Sequence, residues 1–299
     1  MKESKKTDNK IPSGIILYNK SAGVTSFGAL SEIKRALGTG KVGHTGTLDK
    51  FAQGLLIVLA GNALKLSGWF THLDKQYLGK IHFGIETDTL DPEGNEIAAA
   101  PIPSREKVEE AFLSFTGTIM QEPPAYSAIH VNGKRASDLA RSGKPPQMKK
   151  REVTIYKLEL RNWQPPYAEI FVHCSSGTYI RSLARDIALA AGSRAHLASL
   201  LRTQVGKFGI GDRGEERFFL RPVDKTVVSD LGLPWFDVSL DEAQNIFHGK
   251  PLFEILEGKT LFGNTDVISN NNAAVFSGEE LVAIVNKTDN VWKYCCVLS

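Results

Sequence analysis

The segment Gly43-His44-Thr45-Gly46-Thr47-Leu48-Asp49, followed closely by the apolar run Gly54-Leu55-Leu56-Ile57-Val58-Leu59-Ala60, constrains this chain more than any other stretch. A Gly/Thr-rich loop that tight presents one carboxylate at a fixed angle, and a buried segment behind it holds it there. Asp and Gly are also the ordinary residues of turns, so the loop taken alone reads first as a plain turn in which His44 and Asp49 satisfy backbone groups. The run at 55–59 is too short for periodicity to decide between helix and strand.

Length and composition bound the fold. The chain has 299 residues and is 42% hydrophobic, enough for a large domain and a small one. It has no apolar run of bilayer length, so no membrane partner is expected. Residues 1–10 are polar, lack the apolar core of a signal peptide and read as a disordered tail. The three cysteines, Cys174, Cys295 and Cys296, form no Cys-x-x-Cys pair. Neither a disulfide framework nor a metal site is expected, and a reduced, cytoplasmic setting is.

The net charge of +3 hides an asymmetry: residues 235–299 carry −5, and the preceding 234 carry +8. Nine basic residues, from Lys134 to Arg161, face only Asp138, Glu152 and Glu159 across 130–161. That cluster is either a solvated face or a phosphate-contacting patch.

Gly14-Ile15-Ile16-Leu17-Tyr18-Asn19-Lys20 reads as a strand. Ser26 is placed to cap a helix running to Leu37, and 38–46 reads as loop. Alternation predicts strands at 77–85, 153–160 and 168–174. Asp91-Pro92-Glu93-Gly94-Asn95 is a turn. Ser104 caps a helix with Val108, Ala111, Phe112 and Phe115 inward. A further helix is predicted over 179–190, a short one over 195–201 and a strand over 202–209. Strands interspersed with helices, without βαβ repetition, make α+β the class, with a mixed or antiparallel sheet flanked by helices. The expected division is a tail at 1–10, a main domain at 11–222, a linker at 223–234 and a small β-rich domain at 235–299. In that last part Ser239 caps a helix ending at Gly249, a hairpin spans 273–285 and a strand follows from Trp292.

Three more segments change the weight of Asp49: Asp74-Lys75-Gln76-Tyr77; Gln121-Glu122-Pro123-Pro124-Ala125-Tyr126-Ser127-Ala128; and Ser175-Ser176-Gly177-Thr178-Tyr179-Ile180-Arg181. With the 43–49 loop, and in this order, they resemble the TruB family of tRNA pseudouridine-55 synthases over residues 11–208. The resemblance implies a pseudouridine synthase catalytic domain with a PUA-like C-terminal domain. It implies a monomer that isomerises uridine in the tRNA T-stem-loop by base flipping, without a cofactor. Asp49 would be the nucleophile, Arg181 its counter-ion and Tyr77 the ring stacked on the target base. His44 would reach into the RNA loop, Tyr179 would help to order Asp49, Leu200 would wall the pocket, and Lys20 would lie near the site. A carboxylate is a competent nucleophile, and a guanidinium can fork onto it and keep it ionised. Two other readings share these residues: a tRNA-folding chaperone of the same fold, and a related synthase acting on another RNA.

The chain departs from the family pattern in two places. Lys50 stands where the family usually has proline, which would fix φ. Its charge would either favour the Asp49 carboxylate or contact a phosphate. Asn19-Lys20-Ser21 stands where Asp-Lys-Pro is common. The −5 charge of the small domain argues against a strong phosphate grip by it.

Overall fold

The computed structural model describes residues 11–212, 218–263 and 271–298; the expected tail at 1–10 lies outside them. The chain begins with β1 (Gly14–Lys20), α1 (Ser26–Leu37), β2 (Val42–His44) and β3 (Gln53–Ala60). A 3-10 turn and α2 (Ser67–Thr71) lead to β4 (Lys75–Phe83), β5 (Ile85–Thr87), β6 (Glu96–Ala99), α3 (Arg105–Ser114) and β7 (Gly117–Gln121). A small hairpin, β8 (His130–Val131) and β9 (Lys134–Arg135), runs into α4 (Ala136–Arg141). Then come β10 (Arg151–Gln164), β11 (Tyr167–Cys174), α5 (Ile180–Ala190), β12 (Ala195–Val205) and β13 (Phe208–Gly209). The remainder is α6 (Lys225–Asp230), β14 (Trp235–Asp237), α7 (Leu240–Phe247), α8 (Leu252–Leu256), β15 (Asn272–Ser277), β16 (Glu280–Thr288) and β17 (Val291–Val297).

Among the described residues one nine-stranded sheet dominates, in the order β1-β3-β12-β4-β11-β10-β7, with β2 on β3 and β13 on β12. All its pairings are antiparallel except β3 with β12. One core lies between this sheet and helices α3 and α5, where Tyr77, Ile81, Ile170 and Leu197 meet Val108, Phe112, Leu183 and Ile187. A second core joins β1 and β3 to α6 and to the four-stranded sheet β14-β15-β16-β17 through Leu17, Ile57, Phe208, Val227, Phe276 and Ile284. The mixed α+β class is therefore as expected, with a β-rich module at the C-terminus.

Local chemistry explains most boundaries. Helix α1 is capped by Thr25, whose hydroxyl accepts from Gly28 N, and ends at Gly38 with φ 62°. Ser26, expected as the cap, is the first helical residue and spends its hydroxyl on Leu48 instead. Ser104 and Ser239 cap α3 and α7, the latter with a full capping box through Glu242.

Three further expectations change. Residues 195–201 are not a helix but the first part of β12, paired with β4 along its length and with β3 at Leu201 and Arg202. Ala-His-Leu-Ala-Ser-Leu has no decisive local preference, and pairing with β4 imposes the extended form. The 38–46 loop contains β2, whose three residues pair with Leu59, Val58 and Ala60 of β3. The 223–234 stretch carries α6, capped by Asp224, with Val227 and Val228 buried in the second core.

The β3–β12 junction depends on one glycine. Gly54 has φ +109°, and a Cβ there would sit 2.3 Å from Arg202 O. Replacement by alanine is both conformationally strained and sterically blocked. Gly54→Ala is expected to lower unfolding stability by about 3 kcal/mol or more, measured by urea denaturation.

Candidate active site

The loop carrying Asp49 is fastened from behind at several points. Thr45 N donates to Ile57 O at 3.0 Å, and Ala52 N to Asp49 O at 3.2 Å. The Ser26 hydroxyl both donates to Leu48 O (3.0 Å) and accepts from Leu48 N (2.9 Å). Leu48 and Ala52 are buried in the first core. Lys20 ends β1 fully buried, and its Nζ donates to Val24 O at 2.7 Å and Ala52 O at 2.5 Å, with Ser21 O and Lys50 O at 3.1 and 3.5 Å. Burial pushes its ammonium down to about 8. Lys20 therefore braces the loop from inside and has no surface to offer a ligand.

Asp49 itself is open, its side chain 35% exposed, and it meets Arg181 from the first turn of α5. Arg181 Nη2 donates to Asp49 Oδ1 at 3.0 Å, and Nε lies 2.9 Å from Oδ2. The guanidinium is buried: Nε faces Asp49 without an aligned hydrogen bond, Nη1 reaches Thr89 O at 2.7 Å and Asp91 Oδ2 at 3.3 Å, and Nη2 also reaches Tyr126 O at 3.0 Å. Asp91 is buried too, and burial raises its pKa against the pull of Thr89 and Arg181. Arg181 thus joins two carboxylates, one facing a cleft and one enclosed.

The cleft has a volume of about 490 Å³. Tyr77 on β4, Leu200 on β12, and Tyr126, Tyr179 and Ile180 form its apolar and aromatic wall. Tyr77 is 8% exposed; burial pushes its phenol up to about 12 even with Arg202 beside it. Tyr179 is the residue before α5, and its backbone is clamped in both directions by the buried Gln121: Tyr179 N donates to Oε1 at 2.8 Å, and Nε2 donates to Tyr179 O at 3.1 Å. Burial raises the pKa of its phenol as well. His44, at the end of β2, does not line the cleft. It is half-buried, its Nδ1 has no hydrogen-bond partner, and burial followed by Arg202 lowers its pKa, which favours the neutral ring.

Three more buried charged residues stand at or beside the cleft without a signal in the sequence that placed them there. Asp91 looked like one member of a turn. Arg202 is buried in β12, where Nε donates to Leu55 O (2.7 Å) and Nη2 to Gly46 O (3.0 Å), tying the Asp49 loop to the sheet centre. Lys75, within the Tyr77 motif, is buried and lines the cleft, donates to Thr71 O at 2.7 Å and also contacts Leu73 O. Its pKa is lowered to about 8, by burial first and Arg202 second. A single polar residue in a turn or strand carries no local signal of this kind.

Cations outnumber carboxylates around the cleft. Part of the basic cluster also arrives there: Arg135 and Arg141 of the β9–α4 segment line it. Lys157 and Arg161 do not. They share Glu159 and lie over the Phe171 ring. The cleft suits an anionic, ring-bearing ligand.

Known proteins share this architecture and sequence. The family model for the N-terminal domain of TruB family pseudouridylate synthase matches residues 34–180. A tRNA pseudouridine synthase B from Treponema denticola is 46% identical over 218 residues, which cover 66% of this chain and 61% of that protein. One from Borreliella burgdorferi (strain ZS7) is 45% identical over 202 residues, covering 67% of this chain and 72% of its own length. One from Francisella tularensis subsp. novicida is 39% identical over 247 residues, covering 82% and 79%. A chain in the crystal structure of a Cbf5-Nop10-Gar1 complex shares the fold, with TM-score 0.69, 24% identity, and coverage of 97% of this chain and 86% of that one. These matches, together with a cleft-facing carboxylate held by a buried arginine, show that the chain belongs to the TruB family of pseudouridine synthases, isomerases that act on RNA.

Proposed function

We propose that this protein converts uridine 55 to pseudouridine in the T-stem-loop of tRNA, as a monomer, with Asp49 as the nucleophile. One observation carries the reading: Asp49 is the carboxylate that faces the cleft, while Arg181 and the enclosed Asp91 hold it in place from behind. Preorganised ionic partners of this kind are stronger in a water-poor site and need no rearrangement during reaction.

The reaction is an isomerisation. The carboxylate adds to the nucleotide, the bond from ribose C1′ to uracil N1 breaks, the base turns, C1′ joins uracil C5, and the bond to Asp49 breaks again to return the free carboxylate. The C5 proton is released and N1 regains one, so no atoms are lost and no redox partner is consumed. The base must leave its stack to reach Asp49. Tyr77 and Leu200 supply a ring and an apolar wall for it. Tyr77, like any tyrosine at neutral pH, is a neutral phenol, and its burial makes the phenolate still less accessible. Tyr179, its backbone fixed by Gln121, belongs to the same wall and helps to order Asp49. His44, neutral and next to the cleft loop, fills the space the base vacates in the RNA. Arg135 and Arg141 take phosphates at the rim. Lys20 acts on the loop alone, because it is fully buried.

Three outcomes are expected. Asp49→Asn is expected to reduce pseudouridine formation in an unmodified T-stem-loop transcript by at least about 10³-fold while still binding it, measured by pseudouridine mapping and filter binding. Pseudouridine made by this variant at near-native rate would remove Asp49 as nucleophile; a variant that is inactive but still speeds tRNA folding would mean that both activities coexist. Arg181→Lys cannot fork onto Asp49 and also reach Thr89, Tyr126 and Asp91, so kcat is expected to fall by about 10²-fold or more, with RNA affinity changed much less. Tyr77 sets a pH dependence. Its folded pKa of about 12 lies above the ordinary 10.0, so between these values the native chain keeps a proton that the unfolded chain releases. Its contribution to stability is complete below pH 10 and is lost as pH rises towards 12. Tyr77→Phe is expected to flatten this alkaline fall in the denaturation midpoint.

A further inference from the structure

Lys50 follows the nucleophile, yet its side chain does not enter the cleft. Its ammonium lies 2.8 Å from Glu93 Oε1, 43 residues away in sequence, with the two side chains 52% and 44% exposed. The main chain on both sides of this pair is committed to the site. Lys50 O accepts from Gly23 N at 2.8 Å, which fixes the Lys50 end to the β1–α1 turn. Glu93 N donates to Asp91 Oδ1 at 3.0 Å, and the Thr89 hydroxyl donates to the same oxygen at 2.6 Å. The turn around Glu93 is tight, since a Cβ on Gly94 would meet Asp88 Oδ1 and Thr89 Oγ1 at 2.3 Å. A closed circuit results. It runs from Asp49 to Arg181, to Asp91, through the Glu93 amide to its carboxylate, across to Lys50 and back along one peptide to Asp49.

We propose that Lys50 and Glu93 form a strap that holds the Asp49 loop and the Asp91 turn in register around Arg181, making both positioning residues for the isomerisation. This rests on the function proposed above. Exposed ion pairs contribute little to global stability, so the strap acts on local geometry and not on the fold. Its members touch neither the cleft nor the ligand. The strap closes on the solvent side what Arg181 closes on the buried side.

A double-mutant cycle with Lys50→Met, Glu93→Gln and the pair tests it, using saturating enzyme and a T-stem-loop RNA in single turnover. Each single substitution is expected to slow the chemical step by about two- to fivefold with unchanged RNA affinity and melting temperature, and the double variant to be no slower than either single. Lys50→Arg is expected to retain the native rate. Hydrogen exchange over residues 46–52 and 88–95, read without RNA, is expected to quicken in both segments on either single substitution. The exchange measurement judges the strap even if the wild-type chain makes no pseudouridine, an outcome that would sink the functional reading instead. Unchanged exchange in both segments overturns the strap. So do multiplicative effects on the rate. Weaker RNA binding in Lys50→Met together with tighter binding in Glu93→Gln also overturns it, because that pattern marks Lys50 as a phosphate contact.

Discussion

A guanidinium removed from water needs an acceptor in every direction in which it points, and Arg181 is 3% exposed. Its two terminal nitrogens find them in Asp49, Asp91, Thr89 O and Tyr126 O, groups that lie 55 to 132 residues away along the chain, and Nε is held only by its charge contact with Asp49. Satisfying this one side chain draws three separate loops to the start of α5. The cleft is the space they leave. An arginine that lacked any of these partners would be a buried, partly unpaired charge, so the geometry around Asp49 is a consequence of making Arg181 tolerable in the interior.

The other buried cations follow the same rule with different partners. Lys20, Lys75 and Arg202 are each held by main-chain carbonyl oxygens. Such contacts stabilise a positive charge without cancelling it. The result is a site with a rigid outline and a positive field, in which the Asp49 carboxylate remains open at its rim. The polyanion proposed as substrate would meet attraction at the mouth and an apolar wall inside. Arg135 and Arg141, the latter 3.5 Å from Asp138, extend that field outward from the cleft lining, whereas Lys157 and Arg161 lie on Glu159 and Phe171 outside it.

Much of the site was legible because its chemistry sits in contiguous motifs. Asp49 stands out in a Gly/Thr loop, Tyr77 opens an alternating strand, and Arg181 follows the turn that starts α5. Leu200 was legible as an apolar wall, although the segment around it was expected to be helical and is a strand. Asp91 was visible only as a turn residue, Lys75 only as part of the Tyr77 motif, and Arg202 and Gln121 not as site residues at all. Lys20 was expected near the site, and only its burial shows that it braces the loop from within. The ambiguous run after Asp49 is strand because β1, β2 and β12 pair with it.

The sequence by itself determined what depends on neighbours a few residues apart. These are the caps at Ser104 and Ser239, the turn at Asp91-Pro92-Glu93-Gly94, the alternating strands, the charge asymmetry and the loop that carries Asp49. Tertiary structure alone decided that 195–205 is one extended strand, that two carboxylates share Arg181, and that Lys50 turns away from the cleft towards Glu93. The physical reason is range. A cap or a strand period is written into adjacent side chains. A buried ion pair or a central strand exists only once segments far apart in the chain have packed, and no local pattern records which polar residue will find itself without water.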